Sequence, residues 1–248
     1  DPNFYKKDSL LKLLKNNGYT SFNLNPTKEI KKLSVPMEDL SNFYHVDQWI
    51  LRKDIEYNGS EYGFGEYPPD QYTLNYAYNK FLKDHPDPFV LFYLTKNSHS
   101  PYITPVNINS DWRSLNHDYG KLRGNEFLKR PNINNYLEAI QYEILVIQDY
   151  ILRNGSNNDI FLLLGDHQPH HLCNEDKHGV TTIAHLISKN KKFLDGFEQY
   201  GFRDSLFDNI EPVKHEGLHS AFIRELLTNY GNNNVKLPHY EPEGLQFR

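Results

Sequence analysis

The chain has 248 residues, 38% hydrophobic and 24% charged, which suffices for one large α/β domain and is short for two independent enzymatic domains. A net charge of -5 without any long Lys/Arg run excludes the concentrated basic face that nucleic-acid binding needs. Cys173 is the only cysteine, so neither an intrachain disulfide nor a thiolate metal cluster can form.

No apolar run approaches the roughly 18 residues a membrane span requires, and no basic start leads into an apolar signal core. The sequence opens at Asp1 rather than Met, and a processed, excised or incomplete chain is the expectation. In chain order, Asp8 is expected to cap a Leu-rich helix, "SLLKLLKNNGY", that stops at Gly18, with a short strand "YTSFNL" next. The Gly- and Pro-containing stretch 58–73 reads as a loop, and a helix begins near Asp70 or Thr73 and runs toward Lys83. "DPFVLFYLT" at 87–95 is a continuous apolar run expected to form a strand buried on both faces, with His99 just beyond its carboxyl end.

Leu137, Ile140, Ile144, Ile147 and Ile151 recur at steps of three and four, one apolar stripe on a helix that ends at "RNG". A strand from Ile160 to Leu164 follows, then a strand at 180–188, a helix around 190–200 and a helix from Gly217 to Tyr230. Strand and helix alternate, which predicts a single α/β domain over residues 1–248: a largely parallel central sheet with helices on both faces, closed by a polar tail at 231–248.

Ligands of open parallel sheets gather at the carboxyl ends of the strands. Two strands end in polar loops there, "KNSHSPY" and "GDHQPHH". Gly165 frees the backbone to turn, so that Asp166 and His167 can converge instead of pointing to opposite faces. A carboxylate with a neutral imidazole suits Zn or Mn better than Mg or Ca. The plainer reading is that Asp166 caps a turn and His99 is a solvated loop side chain.

"LLKLLKNNGYTSFNL", "PFVLFYLTKNSHSPY", "IFLLLGDHQPHH" and "GLHSAFIRELL" stand in an order and spacing that resembles the sulfatase-like hydrolase and transferase branch of the alkaline phosphatase superfamily, over about residues 8–230. "GDHQP" is the most specific element of the resemblance. It implies Asp166 and His167 as ligands of one divalent metal ion (Mn, Mg, Ca or Zn) and His99 as a contact to the phosphoryl or sulfuryl group. His170 and His171 either approach the substrate or stand in solvent; of these, His170 is the candidate substrate contact.

The resemblance further implies a small-molecule, lipid or glycan ester as substrate and a membrane-anchored protein with this part outside the cytoplasm. The family's nucleophile and a further metal-binding acid precede the segment that begins here at Asp8, and no Ser, Thr or Cys of this chain matches that nucleophile. The expectation is therefore an alkaline-phosphatase-like domain whose N-terminal portion is missing from this sequence, with half a metal site and no catalytic activity on its own. A sulfatase-like module that binds without turnover is the alternative.

"HEGLH" at 215–219 also matches the zinc-peptidase pattern, which needs one helical turn between its histidines. Gly217 inside the turn and Pro212 before it place His215 and His219 at a helix start, and a candidate third ligand, His239, sits in a Pro-flanked tail.

Overall fold

The computed structural model describes residues 9–27, 36–63, 67–105, 107–117, 132–169, 172, 181–204, 211–232 and 234–244. The chain divides into two compact units, residues 1–155 with 169–177 and residues 156–168 with 178–248, and each is described by itself.

The first unit begins with helix α1 (Leu10–Asn16), whose N-cap is Ser9: its hydroxyl accepts the Lys12 N–H at 3.1 Å. The expected cap, Asp8, lies outside the described residues, and the serine one step later is the side chain that meets the open N–H groups. The C-terminus behaves as read. Gly18 takes φ +84° and donates to Lys15 O at 3.0 Å, while Tyr19 donates to Leu14 O at 3.1 Å, the paired bonds of a Schellman stop.

The chain then enters β1 (Thr20–Asn25), helix α2 (Met37–Tyr44) and β2 (Gln48–Leu51). Helix α3 (Asp70–Ala77) follows and continues as a wider turn over Tyr78–Leu82. Strand β3 (Phe89–Tyr93) and the long helix α4 (Ile133–Asn154) complete the unit. The sheet order is β2-β1-β3 and both pairings are parallel, so the chain is α/β with a parallel sheet as expected. Ser21 and Asp47 tie β1 to the entry of β2, the Ser21 hydroxyl donating to Asp47 Oδ2 at 2.8 Å and accepting the Asp47 N–H at 2.9 Å. Phe22, Leu24, Ile50, Leu82, Trp112 and Val146 pack in one core.

Two burial expectations change. Strand β3 is an edge of the described sheet and is only half-buried, with Phe92 55% exposed. On α4 the buried face is Ala139, Tyr142, Glu143 and Val146, while Leu137 and Ile144 of the expected stripe are 55% and 60% exposed. α4 packs against α3, whose inner side is built of Asp70, Gln71, Thr73 and Asn75, so the helix turns its mixed face inward to meet polar partners.

The second unit holds β4 (Ile160–Leu164) and β5 (Ala184–Ser188), followed by the short helix α5 (Lys191–Asp195), a 3-10 segment Gly196–Tyr200 and helix α6 (Leu218–Tyr230). β4 and β5 pair antiparallel, Ile160 opposite Ser188 and Leu164 opposite Ala184, so this part of the chain departs from the parallel order. Phe193, Phe197, Tyr200 and Phe222 form an aromatic core, the first two rings edge-to-face at 5.2 Å. The tail is not loose: Glu241 N–H donates to Ser220 Oγ at 3.0 Å and Arg224 donates to Pro238 O, which lays residues 238–241 along α6.

Candidate functional site

Strand β4 delivers Asp166 and His167 to the turn just beyond its carboxyl end. The ladder extends one residue past the strand, Gly165 N–H donating to Ile183 O at 2.9 Å. A Cβ on Gly165 would stand 3.1 Å from the Thr182 Cβ, so the glycine serves a close approach to the incoming β5 segment. Gln168 Nε2 donates to Thr181 O and pins the far side of the turn.

Within that turn the side chains converge. Asp166 Oδ1 accepts the His167 N–H at 2.9 Å, and its Oδ2 lies 3.5 Å from His167 Nε2. The other ring nitrogen, Nδ1, is 2.8 Å from Gln168 O. A carbonyl can only accept, so in the neutral ring the proton sits on Nδ1 and the lone pair on Nε2, toward the carboxylate. Two electron-pair donors side by side, 61% and 47% exposed, form the kind of pair a divalent cation bridges, with the imidazole oriented by its second nitrogen. The donor set fits the metal that the family resemblance implies. Among the described residues no group of three or more His, Cys, Asp or Glu is placed to hold a metal, and Asp166 and His167 stand as a pair.

His99 belongs to the first unit. The loop after β3 turns through Lys96 and Asn97, His99 N–H donating to Lys96 O at 3.3 Å and Tyr102 N–H to His99 O at 2.9 Å. Its Nδ1 is 2.8 Å from Ser100 O, which in the neutral ring again leaves the lone pair on Nε2, and the side chain is exposed. Tyr102 closes the loop with φ +64° and a buried ring packed edge-on to Tyr136 at 5.4 Å. The structure thus brings Asp166 and His167 together in one unit and presents His99 in the other. His170, His171 and Cys173 lie outside the described residues.

The peptidase pattern takes the geometry read from its Gly and Pro. His215–Gly217 is a single 3-10 turn and α6 starts at Leu218, so the two histidines straddle the helix start. A Cβ on Gly217 would stand 3.0 Å from Pro242 O, where the tail crosses. His219 is exposed, and the desolvation its ring does meet at the helix start lowers its pKa.

Sequence reasoning missed two acids. Asp70 and Glu143 are both buried, beneath the His99 loop and inside the α3–α4 contact. The sequence marks Asp70 only as a candidate helix start and carries no local signal at Glu143. The available signal was the "PPD" junction, which sets a carboxylate at the first turn of a helix packed beneath a loop.

No protein-family model and no curated protein matches the chain. Solved structures similar to it include a protein in the alkaline phosphatase superfamily from Vibrio parahaemolyticus, at 21% identity and TM-score 0.49, covering 77% of this chain and 43% of that one. Another is the lipoteichoic acid synthase LtaP from Listeria monocytogenes, at 20% identity and TM-score 0.44, covering 72% and 43%. A third is the C-terminal periplasmic domain of EcEptC from Escherichia coli, at 18% identity and TM-score 0.48, covering 79% and 57%. The chain spans only 43 to 57% of the length of these structures, and at such identities and scores the likeness assigns no activity to its residues.

Proposed function

We propose that the chain contributes half of the metal site and a substrate contact to a metal-dependent hydrolase or transferase of phosphate, sulfate or phosphoglycerol esters, working outside the cytoplasm. The carrying observation is the Asp166–His167 pair: Oδ2 and Nε2 3.5 Å apart at an exposed strand end, with Nδ1 committed to Gln168 O. In this reading Asp166 and His167 hold a divalent cation through oxygen and nitrogen, and Zn or Mn suit that mixed pair best. When bound, the ion supplies Lewis-acid stabilisation of charge on the ester oxygens.

The chain's own residues then orient and neutralise. His99 offers an imidazole to the transferring group, as hydrogen-bond donor when protonated and as proton acceptor when neutral. His170 is proposed as a second substrate contact. Hydrolysis and transfer differ only in whether water or an alcohol accepts the group, so both remain within the proposal. The sequence resemblance, which places the nucleophile ahead of Asp8, supports the class of reaction.

The test is metal content and turnover of the full-length protein. Asp166→Ala and His167→Ala are each expected to remove bound Mn or Zn, measured by elemental analysis after dialysis. Unchanged metal in either variant would sink the assignment. His99→Ala is expected to lower turnover of an aryl phosphate or sulfate while the metal is retained. His215→Ala combined with His219→Ala should leave metal content untouched, and a loss would instead revive the peptidase chemistry.

A further inference from the structure

The loop that carries His99 is gripped from beneath by side chains outside the metal pair. Asp70 opens α3 fully buried, behind Pro68 and Pro69. Its Oδ2 accepts the backbone N–H of Lys96 at 2.8 Å and of Asn97 at 2.7 Å, and its Oδ1 accepts the Tyr93 hydroxyl. The bond is returned: Asp70 N–H donates to Asn97 Oδ1 at 2.8 Å, and Asn97 is itself fully buried. One carboxylate therefore fixes the peptide planes two and three residues ahead of His99. From the other side, a Cβ on Gly63 would stand 2.6 Å from Lys96 O, and Gly63 N–H donates to Ile103 O at 3.1 Å. The loop is held at both ends, and the histidine sits on the span between.

Glu143 reaches the same place from α4. It is 5% exposed, its carboxyl lies against that of Asp70, and the backbone of Ser98 is its other polar neighbour. Neither of its oxygens completes a hydrogen bond with an ordinary donor among the described residues. Two buried carboxylates face to face repel, whereas one proton between them makes the contact a hydrogen bond. Burial, then the charge of Asp70, raise the pKa of Glu143 well above the usual carboxyl range. The other titratable groups facing the pair are the phenols of Tyr93 from β3 and Tyr142 from α4, both held far above their usual range by burial first and by these acids second.

We infer that Asp70 is a positioning residue for His99, and that the buried Glu143 carboxyl packed against Asp70 braces the same loop. Its importance for turnover rests on the proposed role of His99, but the loop geometry can be tested without any substrate. The experiment is amide hydrogen exchange on the full-length protein, read by mass spectrometry over residues 94–102 and over β1 as an internal control. Asp70→Asn keeps the shape and removes the charge that holds two amides. It should speed exchange of the loop at least about tenfold, the cost of a hydrogen bond to a charged group, and leave β1 unchanged.

Should that variant fail to fold, Tyr93→Phe, which removes only the hydroxyl on Asp70 Oδ1, is expected to give a smaller rise confined to the loop. In the wild type, loop exchange corrected for its intrinsic pH dependence should accelerate as pH rises and Glu143 loses its proton beside Asp70. Glu143→Gln, which cannot ionise, should abolish that acceleration. Loop exchange that stays at the wild-type rate in the folded variants, or rises equally in β1, would overturn the inference. If the loop responds as stated while His99→Ala leaves turnover unchanged, the positioning stands and the role given to His99 fails.

Discussion

Asp166 and His167 show how much a single turn decides. In a continuing strand, neighbouring side chains would point to opposite faces, and a carboxylate beside an imidazole would have no joint chemistry. Here the strand stops at Leu164, Gly165 passes close to Thr182, and Oδ2 and Nε2 come within 3.5 Å. The orienting contact is His167 Nδ1 to Gln168 O, so the backbone rather than another side chain sets the tautomer. Gln168 adds the tie to Thr181, and Gln168→Ala is expected to loosen the turn and weaken metal affinity of the full-length protein by about 10-fold, the usual reach of a residue behind a ligand. Titration with Mn or Zn followed by calorimetry checks this, and unchanged affinity would mean the turn holds itself. The Asp-His dipeptide was visible in the sequence because a strand end followed by Gly is a local signal. The Asp70–Glu143 pair was not, since two acids 73 positions apart become neighbours only when α3 and α4 pack.

At the scale of elements, local chemistry and tertiary packing leave different marks. The stop of α1 is local: Gly18 at φ +84° meets nothing within 4 Å of where a Cβ would sit, so its requirement is one of backbone conformation alone. Gly18→Ala should therefore cost about 1 kcal/mol in urea unfolding, the penalty of a left-handed alanine, and a larger loss would point to a packing role. The stop was legible because glycine after a Leu-rich run has few other reasons to be there. The inner face of α4 was not legible. Leu137 and Ile144 belong to the apolar stripe and are exposed, while Tyr142 and Glu143 are buried against α3. Periodicity states that a helix has an apolar face; the element it meets determines which face is covered. The antiparallel pairing of β4 and β5 has the same origin, since strand order and direction are properties of the pairing and not of either strand.

For the whole molecule, each compact unit has its own aromatic-rich core. In the first, Tyr72 stacks on Tyr76 at 5.6 Å and meets Trp112 edge-on at 5.3 Å; in the second, Phe193 meets Phe197 and Phe222. Global stability should carry the signature of the buried acid pair. A group whose folded pKa is raised holds its proton in the native state after the unfolded chain has released it, so stability falls as pH rises through that interval. The interval opens at about pH 4.3, the unfolded glutamate value, and the slope is at most about 1.4 kcal/mol per pH unit. Urea unfolding at pH 5 and pH 8 should show the loss at pH 8, and Glu143→Gln should flatten the difference. A wild-type profile as flat as that of the variant would show that Glu143 does not keep its proton in the folded chain.

The sequence by itself determined the features that depend on neighbours along the chain. These are the α/β alternation, the Gly18 stop, the strands at 89–93 and 160–164, the start of α6 inside "HEGLH", and the loops that bear His99 and Asp166–His167. Each follows from φ/ψ preference, capping or hydrophobic period, which act over a few residues. Only the tertiary structure decided which face of α4 is buried, that β4 and β5 run antiparallel, and that Asp70 and Glu143 meet beneath the His99 loop. Those outcomes depend on which segments pack together, and a carboxyl shows its partner and its protonation only once the chain has removed it from water.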